Sequence, residues 1–98
     1  MPRWAYHGTS ETHLPKIRQC GLMPGEAAHG IGVFFTVEYE TAADYGDVVL
    51  RFAFPADAQY APGEDAGVDE YLSQLSVPAE RLWLFGANRW QRLTHLWP

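Results

Sequence analysis

An α+β fold is predicted by three features of this 98-residue chain. Helical patterning is confined to two short stretches, both in the first half. Short β-branched and aromatic runs recur along the whole length. Beyond residue 46 no helical pattern interrupts them. The order strand, helix, strand, helix, then strands fits a small mixed sheet with two short helices better than a doubly wound parallel sheet. A single domain over residues 1–98 is expected, because usual domain sizes leave no room for two.

The elements follow in order. Residues 3–7 form an apolar-aromatic run ending at His7-Gly8, a strand. Thr9 or Ser10 then offers a hydroxyl to cap a helix. Pro15 belongs in a first turn, so regular helix starts near Leu14. Leu14, Ile17 and Cys20 form its buried face, and Gly21 supplies the left-handed residue that ends it. Residues 21–32 read as loop and 33–36 as a buried strand. Glu38 to Tyr45 reads as a short helix with acidic residues at its start and Gly46 as its stop. Residues 47–54 are the strongest strand pattern, ended by Pro55.

Residues 55–68 are polar and punctuated by Pro and Gly, hence a loop. Such length in so small a domain favours a functional segment. A strand over 69–75, a turn over 77–80 and a strand over 81–86 follow. The tail carries Trp90, Leu93, Leu96 and Trp97, so it packs on something, either the core or a partner; its helix or strand character is open.

Composition narrows the function classes. A net charge of −5 disfavours a general binder of phosphate backbones. The seven basic residues form no run, although Arg51, Arg81, Arg89 and Arg92 leave room for a local patch. A lone cysteine excludes an intrachain disulfide and suggests a reducing compartment. No apolar run approaches the ~18–20 residues of a membrane span, and Met1-Pro2-Arg3-Trp4 lacks a signal-peptide pattern. A cytoplasmic protein with no membrane partner is the expectation. With one cysteine and scattered histidines, no metal is expected. Walker, dinucleotide-fingerprint, CxxC and HExxH motifs are absent.

A few residues carry the chemistry. His7, at a strand end before Gly8, suits a hydrogen bond to a ligand hydroxyl where glycine lets the backbone come close; it equally suits a helix cap. Tyr45, closing the second helix, suits stacking on a flat ring or a place in the core. Phe34 and Phe35 point to opposite faces of their strand, so one faces the core and the other is free to face a pocket. Glu70 lies where the long loop becomes a strand, which places a carboxylate on a rigid element beside a mobile one. Glu80, in a turn, fits simple solvation.

Taken in order, His7-Gly8-Thr9, Gly32-Val33-Phe34-Phe35-Thr36, Tyr45-Gly46 and Asp69-Glu70-Tyr71 resemble the ADP-ribosyltransferase superfamily. The likeness is greatest to its diphtheria-toxin/PARP-like branch with the His–Tyr–Glu signature, in the small bacterial or phage type. It runs from about Tyr6 to Leu82, and Val77-Pro78-Ala79-Glu80-Arg81-Leu82 is similar to the segment that follows the glutamate in small members.

This resemblance implies a split β-sheet around an NAD cleft, with NAD+ as co-substrate. It implies that His7 bonds the adenosine ribose and that Gly8 holds the nicotinamide amide through its backbone, with Thr9 beside them in the cofactor set. Phe34 and Tyr45, eleven positions apart, would sandwich the nicotinamide ring. Gly21 to Ile31 would cover the donor, Pro55 to Asp69 would face the acceptor, and Glu70 would contact the nicotinamide-ribose 2′-hydroxyl as the catalytic glutamate, in a triad with His7 and Tyr45. Phe34 stands where the branch has its first tyrosine, and Ala42 where members often have serine. The acceptor, a protein side chain, a nucleic acid or water, stays open, as does the oligomeric state. Two other readings remain: a catalytically inert NAD- or ADP-ribose-binding module, and a protein-interaction domain.

Overall fold

A computed structural model describes residues 3–27, 30–62, 69–86 and 88–95. Leu96 and Trp97 of the tail, and the segment 63–68 of the long loop, lie outside the described residues. The chain forms a small α+β structure of two four-stranded sheets with few helices. The first sheet has the order β1-β4-β7-β8, from Trp4–Thr9, Val48–Ala53, Trp83–Gly86 and Arg89–Arg92. The second has the order β2-β3-β6-β5, from Gly25–Ala27, Gly30–Phe35, Asp69–Ser73 and Gln59–Pro62. Every ladder is antiparallel, so the expected mixed sheet gives way to two antiparallel ones.

The first helical segment develops as its residues dictate. The Ser10 hydroxyl accepts from the Thr12 amide and opens a 3-10 turn, Glu11–His13. Helix α1, Leu14–Cys20, continues it with Pro15 in the first turn, where no intrahelical N–H is needed. Gly21 ends it at φ 76°, and a Cβ there would lie 2.2 Å from the Val77 carbonyl oxygen. That close approach lets Leu22 and Val77 exchange both backbone hydrogen bonds, each at 2.9 Å. Leu14 and Ile17 are buried as expected. Cys20 is exposed instead of joining them: the helix turns at Gly21, and the hydrophobic contact passes to Leu22.

Both stretches read as loop contain strands. Within 21–32, Gly25–Ala27 pairs with β3; within 55–68, Gln59–Pro62 pairs with β6. Gly and Pro punctuation hid them, because an edge strand needs only one ladder and tolerates Pro on its free side. Helix α2 is shorter than expected, Tyr39–Ala43, followed by a turn through Tyr45. The tail resolves into β8 and a 3-10 turn, Leu93–His95, with Leu93 wholly buried.

The core joins the two sheets. Ala5, Leu50 and Phe52 of the first face Val33 and Phe35 of the second, with Leu14, Ile17, Leu22, Val77, Leu82 and Leu93 closing the ends. Phe35 is the hub. Its ring meets Phe52 edge-on at 5.6 Å and Phe54 at 5.4 Å, and stacks on Tyr71 at 5.9 Å. Each such pair contributes roughly 0.5–1.5 kcal/mol beyond the area it buries. The deeply buried Ser73 hydroxyl is satisfied by donating to the Asp57 carboxylate at 2.7 Å.

Candidate functional site

Besides the shared core, among the described residues the backbones of the two sheets meet through one pair of hydrogen bonds. Tyr6 of β1 and Thr36, just past β3, exchange N–H···O bonds of 2.8 Å each. The strands then diverge toward Gly8 and Phe34, and among the described residues no further ladder joins them. A cleft of about 260 Å³ opens there, lined by Tyr6, His7, Gly8, Phe34, Phe35, Thr36, Ala42, Tyr45 and Glu70.

His7 spans the gap where the ladder stops. Its Nδ1–H donates to the Phe34 carbonyl at 2.6 Å. That bond fixes the tautomer: with the proton on Nδ1, Nε2 of the neutral ring is left as an acceptor. Burial pushes the imidazole below its ordinary pKa, and the bond to Phe34, which favours the charged ring, offsets this only in part. The neutral form therefore prevails above pH ~6.5.

Gly8 serves packing first. A Cβ at this position would sit 1.9 Å from the Ala42 carbonyl oxygen and 3.2 Å from Tyr45 Cβ. Only a glycine lets α2 lie this closely on β1. Gly46 repeats the device, with its Cβ position 2.3 Å from the Thr9 carbonyl oxygen. Together they press the α2 turn onto β1 and bring the Tyr45 ring, 55% exposed, to the cleft.

Glu70 arrives from the other sheet. The register Val33↔Ser73, Phe34↔Leu72, Phe35↔Tyr71 carries β6 along β3, so Glu70 lies one step beyond, level with Thr36. Its carboxylate accepts a hydrogen bond from the Tyr45 hydroxyl. The cleft thus combines a neutral imidazole acceptor, a carboxylate, aromatic surface from Phe34 and Tyr45, and the small Ala42. This set of acceptors and ring surfaces suits a flat ring joined to a hydroxyl-bearing group, with the carboxylate beside any positive charge. Among the residues lining it none is cationic.

Of the expected site residues, His7, Gly8, Phe34, Tyr45 and Glu70 meet at this cleft. Thr9 does not line it. It is 8% exposed, with its hydroxyl 3.3 Å from His13 Nδ1; it shares a strand face with His7 but lies two residues further along, against the 3-10 turn. The cleft also uses Tyr6, Phe35 and Thr36. Tyr6 and Thr36 belong to it because they form the bridge at which the sheets part, and no local sequence signal marks a bridge between distant strands. Phe35 fills the core yet also forms part of the cleft wall.

Among the described residues no three His, Cys, Asp or Glu side chains gather as a metal site, and no helix is long and apolar enough to cross a membrane. Comparison of the chain with protein-family models, with curated proteins and with solved structures gives no match in any of the three.

Proposed function

We propose that the chain is a minimal ADP-ribosyltransferase that transfers ADP-ribose from NAD+ to an acceptor and releases nicotinamide. The observation that carries this reading is the meeting of His7, Tyr45 and Glu70, from three distant stretches of chain, in one cleft between two sheets. The cleft volume of about 260 Å³ is below the ~300–1,000 Å³ of typical whole-ligand sites. It suits the nicotinamide-ribose end of the dinucleotide.

The reaction breaks the bond between the nicotinamide nitrogen and ribose C1′. The bonding pair leaves with nicotinamide, which becomes neutral, while positive charge develops on the sugar. Glu70 stabilises that charge electrostatically and accepts from the 2′-hydroxyl, as carboxylates do in glycoside cleavage. The acceptor nucleophile then bonds to C1′ and loses its proton to solvent water. Phe34 and Tyr45 hold the departing ring. Nε2 of His7 accepts from a ribose hydroxyl, which requires the neutral imidazole that burial favours. Tyr45, through its hydroxyl, holds the Glu70 carboxylate across the cleft before substrate enters.

A binding-only role is the second reading, favoured by Ala42, which lines the cleft without a hydroxyl for the carboxamide. Incubation with NAD+, with calorimetric binding and nicotinamide release followed side by side, separates the two. Release that disappears in Glu70→Gln supports the transferase. Saturable binding without release supports the binding module. Absence of both overturns both.

A further inference from the structure

The first sheet has one edge that nothing described covers. β1 forms one border and is bridged to the second sheet through Tyr6. β8 forms the other and pairs only with β7. A two-residue connection with Asn88 at φ 62° joins them, a left-handed turn conformation that matches hairpin twist. The Leu93 amide bonds the Leu82 carbonyl at 3.0 Å, which fixes the phase of the ladder. Counting back in twos along the register, Gln91 and Arg89 face β7 with their backbone groups. Trp90 and Arg92 therefore turn their N–H and C=O outward, away from the sheet.

The side chains of the same two residues share one face. Opposite partners in a ladder point the same way, so Tyr6, Arg51, Trp83 and Arg92 form a row across all four strands, with Phe85 and Trp90 beside it. Arg51 stacks on Trp4 at 4.1 Å and on Trp90 at 4.5 Å, and Arg92 on Trp83 at 4.9 Å. No acidic residue occupies this row, although the chain as a whole is acidic. Among the described residues Arg51 Nε is buried with no hydrogen-bond partner, and Arg92 bonds only the backbone carbonyl of Glu80, at 3.1 Å. Guanidinium groups cover the rings of Trp4, Trp83 and Trp90, while Phe85 keeps a ring 38% exposed. A visitor therefore meets cations and open backbone groups beside a single uncovered phenyl, too little for a run of stacked bases, which favours carboxylates on an extended chain over a nucleic acid.

We propose that the β8 edge is a docking site for an extended acidic segment of a partner protein, which adds as a fifth strand with its carboxylates over Arg92 and Arg51. Backbone bonds to Trp90 and Arg92 supply the register, and alternate side chains of the guest fall on the arginine face. This surface stands independently of the cleft chemistry.

The test uses the whole chain and three probes: a blocked ten-residue peptide alternating Glu and Val, its Lys-Val counterpart, and a ten-nucleotide oligothymidine. Calorimetry and amide hydrogen exchange read the outcome. The Glu-Val peptide should bind at least tenfold more tightly than either other probe. On binding, the Trp90 and Arg92 amides should gain at least tenfold protection, while Gln91, already bonded to β7, changes little. Arg92→Glu, at an exposed position, should weaken binding at least tenfold, and Arg92→Lys should restore most of it. Equal binding of the Lys-Val peptide, preference for the oligonucleotide, protection confined to other residues, or a peptide-free dimer that already protects these two amides would each overturn the proposal.

Discussion

The Tyr45 hydroxyl donates to the carboxylate of Glu70, 25 positions further along the chain, tying the end of the α2 turn to the start of β6. The two residues lie on opposite walls of the cleft, and the Tyr45 wall owes its position to the glycines that press the α2 turn onto β1. This contact orients the carboxylate and leaves its other lone pairs open to further donors.

Glu70→Gln should abolish nicotinamide release while sparing most NAD+ binding, since the ring-stacking walls are untouched. Loss of a preorganised charge-stabilising group costs ~100–1,000-fold in rate. Turnover within about threefold of the parent would remove Glu70 from the reaction.

Tyr45→Ala removes the exposed ring and the hold on Glu70 together. NAD+ affinity should fall by about 0.5–1.5 kcal/mol for the lost stacking. Tyr45→Phe keeps the ring and should retain that affinity while slowing release. Calorimetry showing unchanged affinity in the alanine variant would contradict the stacked arrangement.

Gly8→Ala should destabilise the fold by about 1–3 kcal/mol in urea denaturation, the range for forced overpacking. The obstructing atom is the Ala42 backbone oxygen, which no rotamer change can move. The α2 turn must shift, carrying Tyr45 away from Glu70, so release should fall as well. A fully stable Gly8→Ala protein would show that α2 does not lie on β1 as described.

His7 gives a signed pH dependence. Its folded pKa lies below the unfolded value of 6.5, so the unfolded state binds the extra proton first. The stability from keeping the ring neutral is complete above pH ~6.5 and declines as pH falls toward the folded pKa, with a slope of at most ~1.4 kcal/mol per pH unit. His7→Gln, which keeps an N–H for Phe34, should lack this decline. Parallel denaturation curves for the two proteins between pH 8 and 5 would refute it.

Phe35→Ala should cost about 3–5 kcal/mol. Phe35 is 2% exposed and joins the sheets through Phe52 and Phe54. A loss below about 1 kcal/mol, far under the usual price of such a truncation, would mean the sheets are held elsewhere.

Local patterning suffices to place most elements and to mark the residue types of the site. Alternation and β-branching point to strands over 3–7, 33–36 and 47–54, which the structure gives as Trp4–Thr9, Gly30–Phe35 and Val48–Ala53, and Ser10, Pro15 and Gly21 bound the first helix, because these signals act within a few residues of chain. His7, Gly8, Phe34, Tyr45 and Glu70 stood out for their chemistry and position. Which of them meet is set by packing between the two sheets. The Tyr6–Thr36 bridge and the pairing of Gln59–Pro62 with β6 depend on contacts between segments far apart in the chain. Gly8 shows the difference most clearly: as a sequence feature it offers a close approach to any neighbour, and the fold gives that place to the Ala42 carbonyl. Propensity acts locally and with small energies, whereas the cleft is formed by packing and ladder bonds that exist only once the two sheets are in register.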